Sequence, residues 1–191
     1  VNKNYRGFEP VKKEYLKSYK NCDDVIMPLR GTSKSAGYDF HLPNDVTIPA
    51  GGSYLCWSDI KAYMCGNEVL EIYPRSSIAI KKDIIIKNTV GIIDTDYYNN
   101  IKNDGNIGLF LKNIGEKEQT FKKGEAIAQA IFKSFLISDN CNSNDTRIGG
   151  VGSTSKEKFN VDPSNQLPPE VRKKIEEQIK TGDIKIPLNK E

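Results

Sequence analysis

The chain has 191 residues, 37% hydrophobic and 28% charged, with a formal net charge of +3, the balance of a globular protein with one core and a few dozen residues left for tails. No apolar run approaches the ~20 residues of a membrane helix, and Asn, Lys, Arg and Glu interrupt residues 1–10 where a signal peptide would be apolar, so no membrane partner and a cytoplasmic address are expected. So small a net charge does not argue for nucleic acid, and Cys22, Cys56, Cys65 and Cys141, far apart and joined only by His41, read as reduced structural thiols rather than a zinc site.

Residues 1–24 form a Lys-rich arm with scattered aromatics, expected to pack loosely or to augment a sheet edge. Residues 25–138 read as short strands at 46–48, 69–73, 83–87, 107–112 and 126–132, rich in β-branched and aromatic residues. Turn clusters at 42–45, 49–52, 65–67, 99–105 and 122–124 separate them, which is the punctuation of an all-β domain. Residues 126–132 have helical propensity, but Ala126, Ala128 and Ala130 alternate with Ile127, Gln129 and Ile131, and the period of two predicts a strand. Residues 139–155 begin as an Asn, Ser and Asp linker and end in Arg147-Ile-Gly-Gly-Val-Gly-Ser-Thr-Ser155. In the polar tail, 156–191, Pro168 and Pro169 open and Gly182 closes a predicted helix over 168–181, with Val171, Ile175 and Ile179 as its stripe.

Five segments carry groups suited to phosphate chemistry. Ala36-Gly-Tyr-Asp-Phe40 puts the carboxylate of Asp39 on a strand entered through glycine, suited to holding metal-bound water; alone it also reads as an Asp in a turn. In Pro74-Arg-Ser-Ser-Ile-Ala79 the proline stops a strand, and Arg75, Ser76 and Ser77 can converge on phosphate oxygens, or a serine can cap a helix. Asn88-Thr-Val-Gly-Ile-Ile-Asp-Thr-Asp-Tyr97 reads as a hairpin that could pinch a base and sugar while aiming Asp94 at water, or as a solvent hairpin with two exposed aspartates, which leaves the apolar run before them unexplained. Gln129, a polar residue within a small and apolar strand, needs a partner, either backbone or phosphate. Arg147 to Ser155 is a glycine-rich strap of N–H donors without a P-loop lysine.

In this order the five segments resemble the five motifs of the homotrimeric dUTP pyrophosphatase (dUTPase) family, over about residues 26–155. Arg6-Gly-Phe-Glu9, Lys61-Ala-Tyr-Met64, Lys81-Lys82 and Tyr97-Tyr98 are similar to the branch of Gram-positive bacteria and their phages. The resemblance implies a distorted β-barrel or jelly roll, the dUTPase-like β-clip, assembled as a homotrimer with active sites shared between subunits. It implies dUTP as substrate, hydrolysed to dUMP and pyrophosphate, which lowers dUTP and supplies dUMP for thymidylate synthesis. Asp94 would be the base; Asn88 and the backbone of Gly91, Ile92 and Ile93 would read uracil; Tyr97 would stack on the sugar. Arg75, Ser76, Ser77 and Gln129 would hold phosphates, and Asp39 would steady the waters of a Mg²⁺ carried by the triphosphate. Arg147, Val151, Gly152, Ser153 and Thr154 would close over the nucleotide from another subunit.

This sequence departs from the family pattern in places. Val151 stands where the family usually has a Phe that stacks on uracil, a contribution valine cannot make, and Phe159 is the nearest ring that could substitute. Arg147 is one residue nearer the glycines than usual. Asn99 replaces the usual glycine, and asparagine can adopt the same left-handed backbone. Two other functions fit parts of the pattern: a dCTP deaminase, which shares the fold but needs a Glu at the base, and a nucleotide-gated regulator that binds a protein partner through its arm or tail.

Overall fold

A computed structural model describes residues 5–141. The fold is all-β, with strands β1 (Gly7–Pro10), β2 (Leu29–Arg30), β3 (Tyr38–His41), β4 (Val46–Ile48), β5 (Ser53–Trp57), β6 (Ile60–Tyr63), β7 (Glu68–Pro74), β8 (Ile84–Ile86), β9 (Gly91–Ile93), β10 (Gly108–Asn113), β11 (Gln119–Phe121) and β12 (Ala126–Ser134). One α-helix, α1 (Ser76–Lys82), is described, together with three single-turn 3-10 helices. The strands divide among four sheets, of orders β1-β6, β5-β10-β8, β11-β4 and β2-β3-β12-β7-β9, and no single barrel closes around them. The predicted helix over 168–181 lies outside the described residues.

Alternation of side chains places the site. On the five-stranded sheet Phe40, Leu70, Ile72, Ala128 and Ala130 face inward and are at most 1% exposed. They join Cys56, Ile84, Ile86, Leu109 and Leu111 of the three-stranded sheet, and Ile48 and Phe121, in one core. Each large aliphatic side chain so buried contributes about 1.5–3 kcal/mol. The opposite face carries Asp39, Gln129 and Tyr73, which sit directly across from one another on β3, β12 and β7.

The period of two did identify β12 as a strand, with one irregularity. A register shift between Ala126 and Ala128 interrupts the pairing with β3, and Ile127 turns into the core at 1% exposure beside Ala128. The expected hairpin around residues 88–97 is a different object. β8 pairs with β10 and β9 pairs with β7, so residues 87–90 carry the chain from one sheet to another and the two strands do not face each other. Periodicity identifies the strands but is silent on which neighbour each takes.

The N-terminal arm packs firmly. β1 adds antiparallel to β6, Val11 is 1% exposed, and the backbone N–H groups of Lys17, Ser18 and Tyr19 all donate to the buried Asp59 carboxylate.

Candidate functional site

Asp39, Arg75, Ser76, Ser77 and Gln129 line one open pocket of about 330 Å³, with Gly31, Ser35 and Gly37 completing the wall. β3 delivers Asp39, β12 delivers Gln129, and Pro74 ends β7 so that Arg75 and the two serines follow at the start of α1. Neither serine caps that helix. The N-cap is Arg75, without a side-chain bond, and both serines are exposed. Arg75 Nε stands 3.2 Å from Asp39 Oδ1, and its Nη1 makes a long contact of 3.5 Å to the carbonyl of Ala126. The Gln129 amide is held loosely, donating to the Pro74 carbonyl at 3.5 Å, so its donors are available to a better acceptor.

Gly37 makes this arrangement possible, because a Cβ there would lie 2.6 Å from Gln129 Oε1. His41, two residues beyond Asp39 on β3, has its pKa lowered chiefly by burial; the Asp39 charge raises it and the Arg75 charge lowers it. The imidazole is therefore neutral near neutral pH and adds no cation. Every lining residue is glycine or polar, a composition for oxyanions and not for a base.

The motif around Asp94 lies elsewhere in the chain. Gly91 sits opposite Ile72 and Ile93 opposite Leu70, and at Gly91 a Cβ would press to 3.2 Å on Ile72 Cβ. Ile92, on the other face, is 53% exposed. Asp94 then precedes the 3-10 turn Thr95–Tyr97, and its carbonyl accepts from Tyr97 N at 3.1 Å. Thr95 Oγ1 donates to the carbonyls of Cys65 and Glu68, which ties this turn to the start of β7. Arg75 lies just beyond the other end of β7, so at ~3.3 Å per residue Asp94 and Arg75 of one chain are about 20 Å apart along the strand.

Asn88 is exposed on the link between β8 and β9. The next residue, Thr89, has φ +65, and Val90 N donates to the Asn88 carbonyl at 2.8 Å. A β-branched residue in the left-handed region is strained by about 1–2 kcal/mol. Tyr97 is 5% exposed; its hydroxyl donates to the Asn106 carbonyl at 2.8 Å and accepts from Asn103 Nδ2 at 2.7 Å. Asn99 does adopt left-handed backbone, with φ +55.

Among the described residues no group of three or more His, Cys, Asp and Glu is placed to hold a metal ion. The four cysteines are free, and burial pushes the Cys56 thiol up to about 12, so that sulfur is inert. No helix among the described residues is long and apolar enough to cross a membrane. Arg147, Val151, Gly152, Ser153 and Thr154 lie outside the described residues. Sequence reasoning missed Gly31 and Ser35, although the run Gly31-Thr-Ser-Lys-Ser35 directly before Ala36-Gly-Tyr-Asp is a readable glycine and hydroxyl signal.

The dUTPase family model matches residues 23–155. The deoxyuridine 5'-triphosphate nucleotidohydrolase of Lactococcus lactis subsp. lactis is 40% identical over 151 residues, spanning 78% of this chain and 97% of its own length. The crystal structure of dUTPase from Streptococcus mutans aligns with a TM-score of 0.60 and 36% identity, covering 70% of this chain and 99% of its own. A mutant dUTPase from phage phi11 of S. aureus, described for its coordination of a structural Mg(II) ion, aligns at TM-score 0.57 and 15% identity over 74% of this chain and 98% of its own, a likeness of fold.

Proposed function

The chain belongs to the dUTPase family, and from that membership we propose that it hydrolyses dUTP to dUMP and pyrophosphate with Asp94 as general base. Asp94 takes a proton from water as the water oxygen bonds to the α-phosphorus. The bond from that phosphorus to the bridging oxygen breaks, and pyrophosphate leaves. Positioned base catalysis of this kind contributes ~10²–10⁴-fold.

Asn88 and the backbone of Gly91, Ile92 and Ile93 read the uracil edge, and the ring of Tyr97 excludes a 2′-hydroxyl. Arg75, Ser76, Ser77 and Gln129 hold phosphates in the polar pocket, offsetting charge where it develops. Arg147, Val151, Gly152, Ser153 and Thr154 close over the nucleotide. The observation that carries this reading is the convergence of Asp39, Arg75, Ser76, Ser77 and Gln129, from three separate stretches of sequence, on one pocket lined by polar residues and glycine.

The separation of about 20 Å between Asp94 and Arg75 within a chain supports sites shared between subunits of a homotrimer, in which one subunit brings the base and another the phosphate pocket. The donor set supports Mg²⁺ held by the triphosphate and water, with Asp39, a lone carboxylate at the pocket wall, touching it through water; bound there, the ion would neutralise phosphate charge. A cytoplasmic enzyme of this kind lowers dUTP and supplies dUMP for thymidylate synthesis. The deaminase alternative has less support, because the acid beside Tyr97 is an aspartate and the relatives are dUTP hydrolases. A regulator acting only by binding has less support too, since Asp94 and Asn88 are both present.

The test is pyrophosphate release from dUTP, dTTP, dCTP and UTP, with and without Mg²⁺, alongside ammonia release from dCTP. Turnover confined to dUTP and stimulated by Mg²⁺ is expected. Equal turnover of all four, or ammonia from dCTP, would sink the assignment.

A further inference from the structure

Between β2 and β3 the chain makes the turn Gly31-Thr-Ser-Lys-Ser35, and its two ends, Gly31 and Ser35, line the same pocket as Arg75 and Gln129. The turn is braced from both sides. Arg30 Nη1 donates to the carbonyls of Ser33 and Ser35 at 3.0 and 3.2 Å, and its guanidinium lies 6.0 Å from the Tyr38 ring centroid. Ser35 N donates to Thr32 Oγ1 at 3.0 Å, and the two hydroxyl oxygens are 2.8 Å apart. A turn held in this way has its donors placed before a ligand arrives, which lowers the ordering cost of binding.

The pocket's chemistry makes those donors matter. Asp39 already offsets Arg75 at 3.2 Å, so the charged lining residues are balanced and an anion must rely on hydroxyl, amide and backbone donors. No apolar or aromatic side chain lines the pocket to take a base. Asp94, which must stand at the α-phosphorus, is not part of it.

We propose that the 31–35 turn recognises the diphosphate portion of the substrate, the part that departs as pyrophosphate, with the Ser35 hydroxyl donating to a phosphate oxygen and Thr32 and Arg30 as positioning residues. Thr32 Oγ1 accepts from Ser35 N, and with Thr32 as the donor between the two hydroxyls, which either could be, the Ser35 hydroxyl proton is left for the ligand. This rests on the hydrolase reading above.

The experiment is product inhibition of dUTP hydrolysis by inorganic pyrophosphate and, separately, by dUMP, on the full chain and two variants. Ser35→Ala removes the donor. Gly31→Glu introduces an anion, and the fold has room for it, since a Cβ at Gly31 meets only Ser35 Oγ, at 4.0 Å. Pyrophosphate inhibition is expected to weaken about 5–10-fold in Ser35→Ala and further in Gly31→Glu, while dUMP inhibition stays within about twofold. Unchanged pyrophosphate inhibition in both variants, or equal weakening toward both products, would overturn the proposal. Should the unmodified chain release no pyrophosphate from dUTP, the hydrolase reading fails by itself. Calorimetric titration of pyrophosphate then reads the turn directly, and equal affinity of the unmodified chain and Ser35→Ala would overturn it.

Discussion

Arg75 reaches across β12 to Asp39, Nε to Oδ1 at 3.2 Å, so the guanidinium that faces the pocket is shared with a carboxylate two strands away in the sheet. The pair sets two demands against each other. Asp39 fixes the direction of the guanidinium, and it also subtracts from the positive potential a polyphosphate would meet.

Replacing the acid separates those demands. Asp39→Asn is expected to strengthen inhibition by pyrophosphate in the absence of Mg²⁺, because Arg75 is no longer offset, while the stimulation of dUTP hydrolysis by Mg²⁺ falls about 5–10-fold with loss of the carboxylate proposed to steady metal-bound water. Rate against Mg²⁺ concentration, with pyrophosphate inhibition measured in chelator, checks both halves. An unchanged Mg²⁺ response would remove Asp39 from any role at the metal.

Asp94→Asn should lower kcat by about 10²–10⁴-fold while dUTP still binds. Arg75→Ala should weaken binding and turnover together if, as proposed, Arg75 holds a phosphate. The separation of about 20 Å between these residues makes their mixture informative. Refolded together at equal amounts, the two variants should recover about a quarter of the sites as hybrids with an intact base and an intact pocket. A mixture as inactive as its components would place each site within a single chain.

These partners were unevenly legible in the sequence. Ala128 and Ala130 alternating with Gln129 and Ile131 gave both the strand and the face on which Gln129 sits, because alternation is a local consequence of the pleat. The Arg75–Asp39 pair and the entry of Ile127 into the core depend on register, which no spacing within one segment reveals. The link at residues 87–90 misled for the same reason: a short polar run, Lys87-Asn-Thr89, between two apolar stretches looks like a hairpin whether or not its strands pair. Ser35 was passed over because serine in a turn is ordinary, and only the closure of β2 on β3 brings it to the pocket wall.

Acid stability should depend on Glu68. Arg6 Nε donates to both its carboxylate oxygens at 3.0 Å, and Cys65 N donates at 3.2 Å. The hydrogen bonds from Arg6, above all, hold the carboxyl below the usual glutamate range. A folded-state pKa below the unfolded one means that the stabilisation is complete above the unfolded value, about 4.3, and is lost as pH falls through the folded value. Glu68→Gln is therefore expected to lower Tm near neutral pH and to converge on the parent as pH falls from about 4.3 through the lower folded value. Parallel Tm curves across the acid range would deny Glu68 this role.

The strongest single dependence of the arm should be on Asp59. Its carboxylate is fully buried and accepts from Lys17 N at 2.9 Å, Ser18 N at 2.7 Å, Tyr19 N at 2.9 Å and Asn106 Nδ2 at 2.8 Å. Asp59 N donates back to Asn106 Oδ1 at 3.1 Å. Asp59→Ala strips the acceptor from four donors at once, and with partial rehydration the cost should be about 3–5 kcal/mol. The backbone amides of residues 17–19 should lose hydrogen-exchange protection together, because they share one acceptor. The same substitution would reach the proposed sugar contact of Tyr97, since the Asn106 carbonyl takes the Tyr97 hydroxyl. Discrimination between dUTP and UTP should therefore fall along with Tm, whereas Tyr97→Phe should reduce discrimination with a smaller loss of stability. If Asp59→Ala lowers Tm but leaves the dUTP to UTP ratio intact, the arm stabilises the fold without setting the sugar contact.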